Sequence, residues 1–458
     1  MKTKALDYQI KVLNKIKDLN SFALFMDYGT GKSYCTLAWI EKNKHKLKNG
    51  VLIIAKKTNI LDTNAWPTEI DTHTNFSYYI LEGSRKNKLE RMSQKPRADI
   101  YLLSYESVLS IFKQIIQRKF SAVFLDESTK VKNITARVTK RIMKIAETIS
   151  NRGVLTGFPV TEQLDDIWSQ FYMVDLGQAL TDNYYKFKYK YFHRWRFGWT
   201  INKGKDEEII KRISDRSVFI KINDCIDLPP IINKYVPIIP TKKQIKYMDE
   251  LKKDFSLTID KDTVLEYMHI LPVLAKQQQI CNGFLYDKRY PNNAPVIRFG
   301  TPKDDVLLDL IEEILYKKII WCKHIEEVVY LTELIRSPTH HVRRMCSSDS
   351  SKEQQRNLYD FKHDKQIKTL ITTYALLESG ETLAMCNYNI HYSYVWSNSM
   401  FRNAKARTYR KGSEIHDKVV YIHLYLKGTI EEVILDALKK KQSLQRKLKS
   451  YMEKWLWD

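Results

Sequence analysis

Phe22-Ala23-Leu24-Phe25-Met26-Asp27-Tyr28-Gly29-Thr30-Gly31-Lys32-Ser33 is the stretch on which the fold turns. The apolar residues Phe22–Met26 read as a strand, and a helical run follows Ser33. Glycines between a strand and a helix let backbone N–H groups wrap phosphate oxygens, and the helix N-terminus adds partial positive charge. Lys32 would then meet the β- and γ-phosphates of a nucleotide, and Ser33 would hold Mg²⁺. The eight-residue form of this loop needs glycine where Met26 stands, so only the shorter G-x-G-K-S form is present. Alone, that form also fits a flexible turn before a helix. The strand before it and the helix after it favour phosphate.

Working outward, Val123-Phe124-Leu125-Asp126-Glu127-Ser128 is a second apolar strand, and it ends in two carboxylates. A lone Asp-Glu is most often a solvated strand end. Beside a phosphate loop, Asp126 would take Mg²⁺ and Glu127 would orient or deprotonate the attacking water. Further short apolar runs lie at Val51–Ala55, Ile100–Ser104 and Gly153–Thr156, with helical periodicity between them, as in Val138–Ile149. The same alternation returns at Ile319–Cys322, Thr369–Thr372, Asn389–Tyr392 and Val419–Leu424. Alternating strands and helices imply βαβ units and buried parallel sheets. The expected fold is α/β, with two mostly parallel sheets flanked by helices. The boundary is placed at 240, giving lobes 1–240 and 241–458.

The chain has 458 residues, with 76 Lys and Arg against 53 Asp and Glu, a formal charge of +23. Two to four domains fit that length, and 43% hydrophobic residues exclude global disorder. The charge points to a polyanion, nucleic acid or an acidic membrane surface. No run of apolar residues is long enough to span a bilayer, and Met1-Lys2-Thr3-Lys4 does not open a signal peptide. The six cysteines form no C-x-x-C pair, which argues against structural zinc and for a reducing, cytoplasmic compartment.

Two basic regions stand apart from these patterns. Tyr184-Tyr185-Lys186-Phe187-Lys188-Tyr189-Lys190-Tyr191-Phe192-His193-Arg194-Trp195-Arg196-Phe197 interleaves rings and cations. Phe192 or Trp195 could stack on an unpaired base or act as a wedge. Equally, the run could be an amphipathic helix packing its rings inward. Leu435–Lys454 reads as a basic helix over a leucine stripe. The prolines Pro229, Pro230, Pro237 and Pro240 suit a connection between lobes, and residues 241–285 read as helical.

Taken in order, these residues resemble the Swi/Snf-like branch of superfamily-2 helicases, DNA-dependent ATPases, over nearly the whole chain. Leu6-Asp7-Tyr8-Gln9 is similar to the opening motif, whose Gln contacts adenine, and Asp27–Ser33 to motif I. Val51–Ala55 with Trp66 and Glu69 resembles motif Ia, and Ser104-Tyr105-Glu106 the motif after it. Asp126–Asn133 resembles the extended motif II, and Leu155-Thr156-Gly157-Phe158-Pro159-Val160 motif III. Gln244 with Tyr247, and Gln279-Ile280-Cys281-Asn282, resemble later segments. Ser379-Gly380-Glu381-Thr382-Leu383 is a weak motif V, and Asn403–Gly412 resembles motif VI.

The resemblance implies two RecA-like lobes with ATP in the cleft between them, and Mg²⁺ as cofactor. It implies an ATP hydrolase coupled to DNA translocation or unwinding, of a compact bacteriophage or bacterial type, acting as a monomer. Gln9, Gly29, Thr30, Gly31, Lys32, Ser33 and Gly380 would bind nucleotide. Arg407 and Arg410, three apart, would face one way as arginine fingers. Lys57, Thr58, Ser104, Tyr105, Thr373 and Ser379 would contact DNA phosphates. Forked, branched or duplex DNA is the expected partner. Other readings stay open: a duplex translocase without strand separation, an RNA helicase, another P-loop enzyme such as a metabolite kinase, or a non-hydrolysing binding module. Motif II has Ser128-Thr129 where Ala-His is usual, and motif III has Phe158 where Thr is common. These departures bear on coupling, not on the Lys, Asp, Glu and Arg chemistry.

Overall fold

The computed structural model describes residues 1–61, 65–160, 163–195, 198–259, 274–286, 296–376 and 382–439. The chain packs as two compact units, Met1–Asp227 and a second that begins at Leu228.

In the first unit, β1 (Ser21–Met26), β2 (Val51–Ala55), β3 (Tyr78–Leu81), β4 (Ile100–Ser104), β5 (Ala122–Asp126), β6 (Asn151–Thr156) and β9 (Ser217–Ile220) form one sheet. Its order is β3-β4-β2-β5-β6-β1-β9 and every pairing is parallel. Helices cover both faces, which is why the strands read as unbroken apolar runs. Successive side chains of β1 alternate between two cores: Ala23 and Phe25 enter one, Phe22, Leu24 and Met26 the other. Because all strands run the same way, their carboxyl ends share one edge. Asp27 and Asp126 both lie there.

The hairpin of β7 (Phe192–Trp195) and β8 (Gly198–Ile201) stands outside this sheet, after the helix Tyr184–Tyr191.

The second unit holds β10 (Ile231–Ile238), β13 (Lys318–Cys322), β14 (His341–Met345), β15 (Ile367–Thr373), β16 (Tyr388–His391) and β17 (Val419–Leu426). The sheet order is β10-β17-β16-β13-β15-β14, again all parallel. A ribbon of β11 (Phe284–Tyr286) and β12 (Val296–Arg298) is antiparallel. Tyr235, His423, His391 and Trp321 stand in register on β10, β17, β16 and β13. The His391 and His423 rings lie 4.8 Å apart and nearly parallel, and Tyr235 stacks on His423 at 4.7 Å.

All the strands read from sequence are present, with ends shifted by up to two residues. The division falls after Asp227, not at 240. Residues 231–238 are no linker: β10 completes the second sheet beside β17. Pro237 fits because β10 is an edge strand, where a missing ladder donor is tolerated. The helical expectation for 241–285 holds for Lys242–Ile259 and 274–281, but the stretch closes on β11, and 260–273 lie outside the described residues. The basic helix expected over Leu435–Lys454 is described only to residue 439.

Candidate active site in the first unit

Gly29 and Gly31 both have φ of +79°, a region costly for residues with a Cβ. Gly31 is the N-cap of the helix Lys32–Lys42 and offers no capping side chain, so the positive end of that helix faces the loop. A Cβ on Gly31 would come within 2.2 Å of Gln9 Nε2, so this glycine is also demanded by close approach. Gln9 is buried; its Oε1 accepts from the Leu6 backbone N–H at 3.0 Å, which fixes the side chain over the loop. The Lys32 ammonium donates to the carbonyls of Met26 at 2.8 Å and Asp27 at 3.1 Å. Thr30 Oγ1 donates to the Asp27 carbonyl at 2.7 Å, closing the loop on itself. Asp27 Oδ2 accepts from the Ile222 N–H at 3.2 Å and ties the loop to the segment after β9.

Asp126 ends β5 and Glu127 follows with φ of +55°. Asp126 Oδ2 takes two donors, Trp66 Nε1 at 3.0 Å and Asn59 Nδ2 at 3.2 Å. Burial raises the Asp126 carboxyl above its usual range, and the neighbouring Glu127 raises it further; Lys32 and the two donors pull the other way. Two crowded carboxylates near a lysine form a hard-oxygen site that a divalent cation would neutralise, and the hydroxyl of Ser33 is of the same donor class. The residues present therefore fit Mg²⁺.

Glu127 is held by three hydroxyls. Tyr28 donates to Oε2 at 2.8 Å; Thr129 and Thr156 donate to Oε1 at 3.2 and 3.3 Å. Tyr28 sits in the phosphate loop and Thr156 in motif III, so one carboxylate joins three motifs. The Tyr28 ring packs edge-on to Phe158 at 5.6 Å. Ser128 donates to Gln170 Oε1 at 2.8 Å, and Gln170 Nε2 donates to the Pro159 carbonyl at 2.6 Å. The unusual Ser128 thus links motif II to motif III through Gln170, while Thr129 bonds within motif II and Phe158 packs motif III against the phosphate loop.

Tyr28, Asn59 and Gln170 escape a reading of the sequence, since each acts through a partner distant in the chain. A polar residue at Asn59, just past the apolar β2, is the only local signal among them. Trp66 is visible only through the resemblance.

Several nominated residues sit elsewhere than expected. Tyr105 is 3% exposed and donates to the Asp126 backbone carbonyl at 2.8 Å, so it supports the end of β5 and is no surface contact. Ser104 is buried as the N-cap of the helix Tyr105–Arg118, its Oγ accepting from the Ser107 N–H. Thr373 is buried at the end of β15. Phe192 is 4% exposed in the first core and cannot stack on a base. Trp195 lies on β7, and its side chain is outside the described set, as are Ser379 and Gly380. Lys57 and Thr58 are exposed on the short helix Lys57–Ile60.

In the second unit Arg407 ends the helix Asn398–Thr408 and is buried, whereas Arg410 lies beyond the helix end and is half-buried. They do not share one helical face. Gln244 Nε2 donates to the carbonyls of Ile280 and Cys281 at 3.0 and 3.2 Å, while Lys303 donates to Asn282 and, at 2.7 Å, to Glu431. These motif residues hold the second unit together from within.

The chain matches the SNF2-related domain over residues 8–284 and the helicase conserved C-terminal domain over residues 302–412. It is 22% identical to the putative protein p41 of Acyrthosiphon pisum secondary endosymbiont phage 1, covering 98% of both chains. It is likewise 22% identical to an uncharacterized ATP-dependent helicase of Mycoplasma genitalium, covering 86% of this chain but 37% of that one. The SWI2/SNF2 ATPase core of Sulfolobus solfataricus, solved in complex with dsDNA, aligns over 97% of this chain and 92% of its own at 22% identity, with a TM-score of 0.47.

Proposed function

The chain belongs to the family defined by the SNF2-related domain, and from that premise we propose that it is a DNA-dependent ATPase motor. The observation that carries the reading is the meeting, at one edge of the first sheet, of Lys32 at a helix start with Asp126 and Glu127, bridged by the Tyr28–Glu127 hydrogen bond. The +23 charge supports a polyanionic track.

In the proposed reaction, Lys32 leaves the Met26 and Asp27 carbonyls to meet the β- and γ-phosphates of ATP, while helix N–H groups cradle them. Gln9 contacts adenine. Asp126 and Ser33 would hold Mg²⁺, which would neutralise charge on the phosphate oxygens. Glu127, oriented by its three hydroxyl donors, aligns the attacking water on the γ-phosphorus. Arg407 and Arg410 supply fixed guanidinium charge to the transition state. Lys57 and Thr58 grip strand phosphates. Cycles of hydrolysis step the motor along DNA and remodel or unwind forked and branched substrates.

Turnover measured at one stated salt concentration with duplex, forked and single-stranded DNA, with RNA, and without nucleic acid tests this reading. DNA should raise kcat about tenfold or more, with RNA and no nucleic acid near the basal rate. Equal turnover without nucleic acid would favour a different P-loop enzyme. A strand-displacement assay on the same forks separates unwinding from translocation alone: a translocase hydrolyses ATP and leaves the strands paired.

A further inference from the structure

The helix Tyr184–Tyr191 sorts its rings sharply between two sides. Phe187, Tyr191 and the following Phe192 are buried in the first core. Lys188 is buried too, ion-paired with Asp165, its ammonium 5.0 Å from the Phe192 ring and 5.6 Å from Trp199. The Tyr184 hydroxyl donates to the same carboxylate at 2.7 Å. The inward side is therefore pinned by packing, an ion pair and a hydrogen bond.

The outward side is different. Tyr185 is 60% exposed and Tyr189 71%. Lys186, Lys190, His193, Arg194 and Lys203 are exposed around them. Trp199 meets the Tyr189 ring edge-on at 5.3 Å, which fixes its orientation without covering it. From Tyr184 to Ile201 the sequence has no Asp or Glu. The nearby Asp182 pairs with Lys186 at 3.3 Å. Exposed cations that outnumber the carboxylates beside them call for an anionic partner, and exposed rings call for a flat apolar one.

An unpaired nucleotide is both. Tyr185 and Tyr189 are one helical turn apart, about 5–6 Å between Cβ atoms. Two rings clasping one base need roughly 6.8 Å, twice the 3.4 Å repeat of a strand, which a small splay of the side chains supplies. Bases within a duplex present no free face, so such a clasp selects unpaired DNA. We infer that Tyr185 and Tyr189 form a stacking platform for a single-stranded DNA arm, with Lys186, Lys190 and Arg194 tracking its phosphates. The inference rests on the DNA-motor reading and adds which part of the DNA this surface recognises.

The test is fluorescence anisotropy with the full chain on a blunt duplex and on the same duplex carrying a single-stranded tail. Tyr185→Ala/Tyr189→Ala should weaken binding to tailed DNA about tenfold or more and leave blunt-duplex binding and basal ATPase unchanged. Tyr185→Phe/Tyr189→Phe, which keeps the stacking faces, should bind as the parent does. Lys186→Gln/Lys190→Gln should flatten the slope of log K against log salt on tailed DNA by roughly 1.4, about 0.7 per phosphate contact. Tyr359→Ala, at an equally exposed ring in the second unit, serves as the control. Tailed-DNA binding unchanged by the double Ala variant, an equal loss on both DNAs, or a loss also in the double Phe variant would each overturn the platform. Failure of the parent to bind any DNA would instead overturn the motor reading.

Discussion

Glu127 is the most constrained side chain of the site, and the constraint is local chemistry. In the proposed role of aligning water, a carboxylate gains from fixed donors, since each hydrogen bond to a charged group contributes about 1.5–3 kcal/mol. Tyr28, Thr129 and Thr156 are those donors. Tyr28→Phe removes one of them and keeps the ring on Phe158. It should lower kcat about tenfold with KM for ATP nearly unchanged, because orientation of the base acts in the transition state and not in substrate binding. Steady-state kinetics check this; a raised KM at unchanged kcat would assign Tyr28 to nucleotide binding. At this scale the placement of Lys32 at a helix start and of Asp126 and Glu127 at the end of β5 was legible from type and spacing; the roles assigned to them are part of the proposal. Tyr28, Asn59 and Gln170 were not legible, because their partners lie far along the chain and only folding brings them together. Tyr105 and Ser104 misled for the opposite reason. Their types suit phosphate contacts, yet a strand-to-helix corner consumes both, one as a cap and one as a support beneath Asp126.

Among the elements, the strands of both sheets were readable because burial on two faces makes them continuously apolar. Those that escaped, β3 and β9 of the first sheet and β10 and β14 of the second, are the four edge strands; β14 with Arg343 and Arg344 and β10 with Asn233, Lys234 and Pro237 also carry polar residues. The second sheet contains a ladder whose cost depends on pH. Burial pushes His391 and His423 well below the ordinary histidine range, and each is pushed further by neighbouring positive charge, Lys405 among it. Both rings are therefore neutral in the fold. Below about pH 6.5 the unfolded chain takes up protons that the folded chain refuses, so stability present above that pH is lost as pH falls. The expected loss approaches about 1.4 kcal/mol per pH unit for each ring. Urea unfolding at pH 7, 6 and 5 should show the second unit weakening, and His423→Asn should roughly halve the slope. A pH-independent midpoint would mean the ladder already carries a proton. Helix Tyr184–Tyr191 shows the limit of composition alone: its alternation of rings and lysines does not say which rings face out, and packing against Asp165 decides it.

For the whole molecule, two units each built on a parallel sheet, membership of the SNF2-related family and a net charge of +23 all agree with the proposed action on a polyanion. The order of motifs along the chain carried the reading further than any one of them could, since Asp-Glu or a G-x-G-K-S loop alone is commonplace. The domain boundary was misread because prolines mark an edge strand as readily as a linker. DNA affinity should fall steeply with salt, as counterions compete for the phosphate contacts. The central claim is that Lys32 and its carboxylate partners hydrolyse ATP in response to DNA. Its most direct test is DNA-stimulated ATPase and DNA binding of Lys32→Ala beside the parent protein, at one salt concentration. The account predicts turnover reduced by about a thousandfold with DNA affinity within about twofold of the parent; turnover unchanged in Lys32→Ala would contradict it.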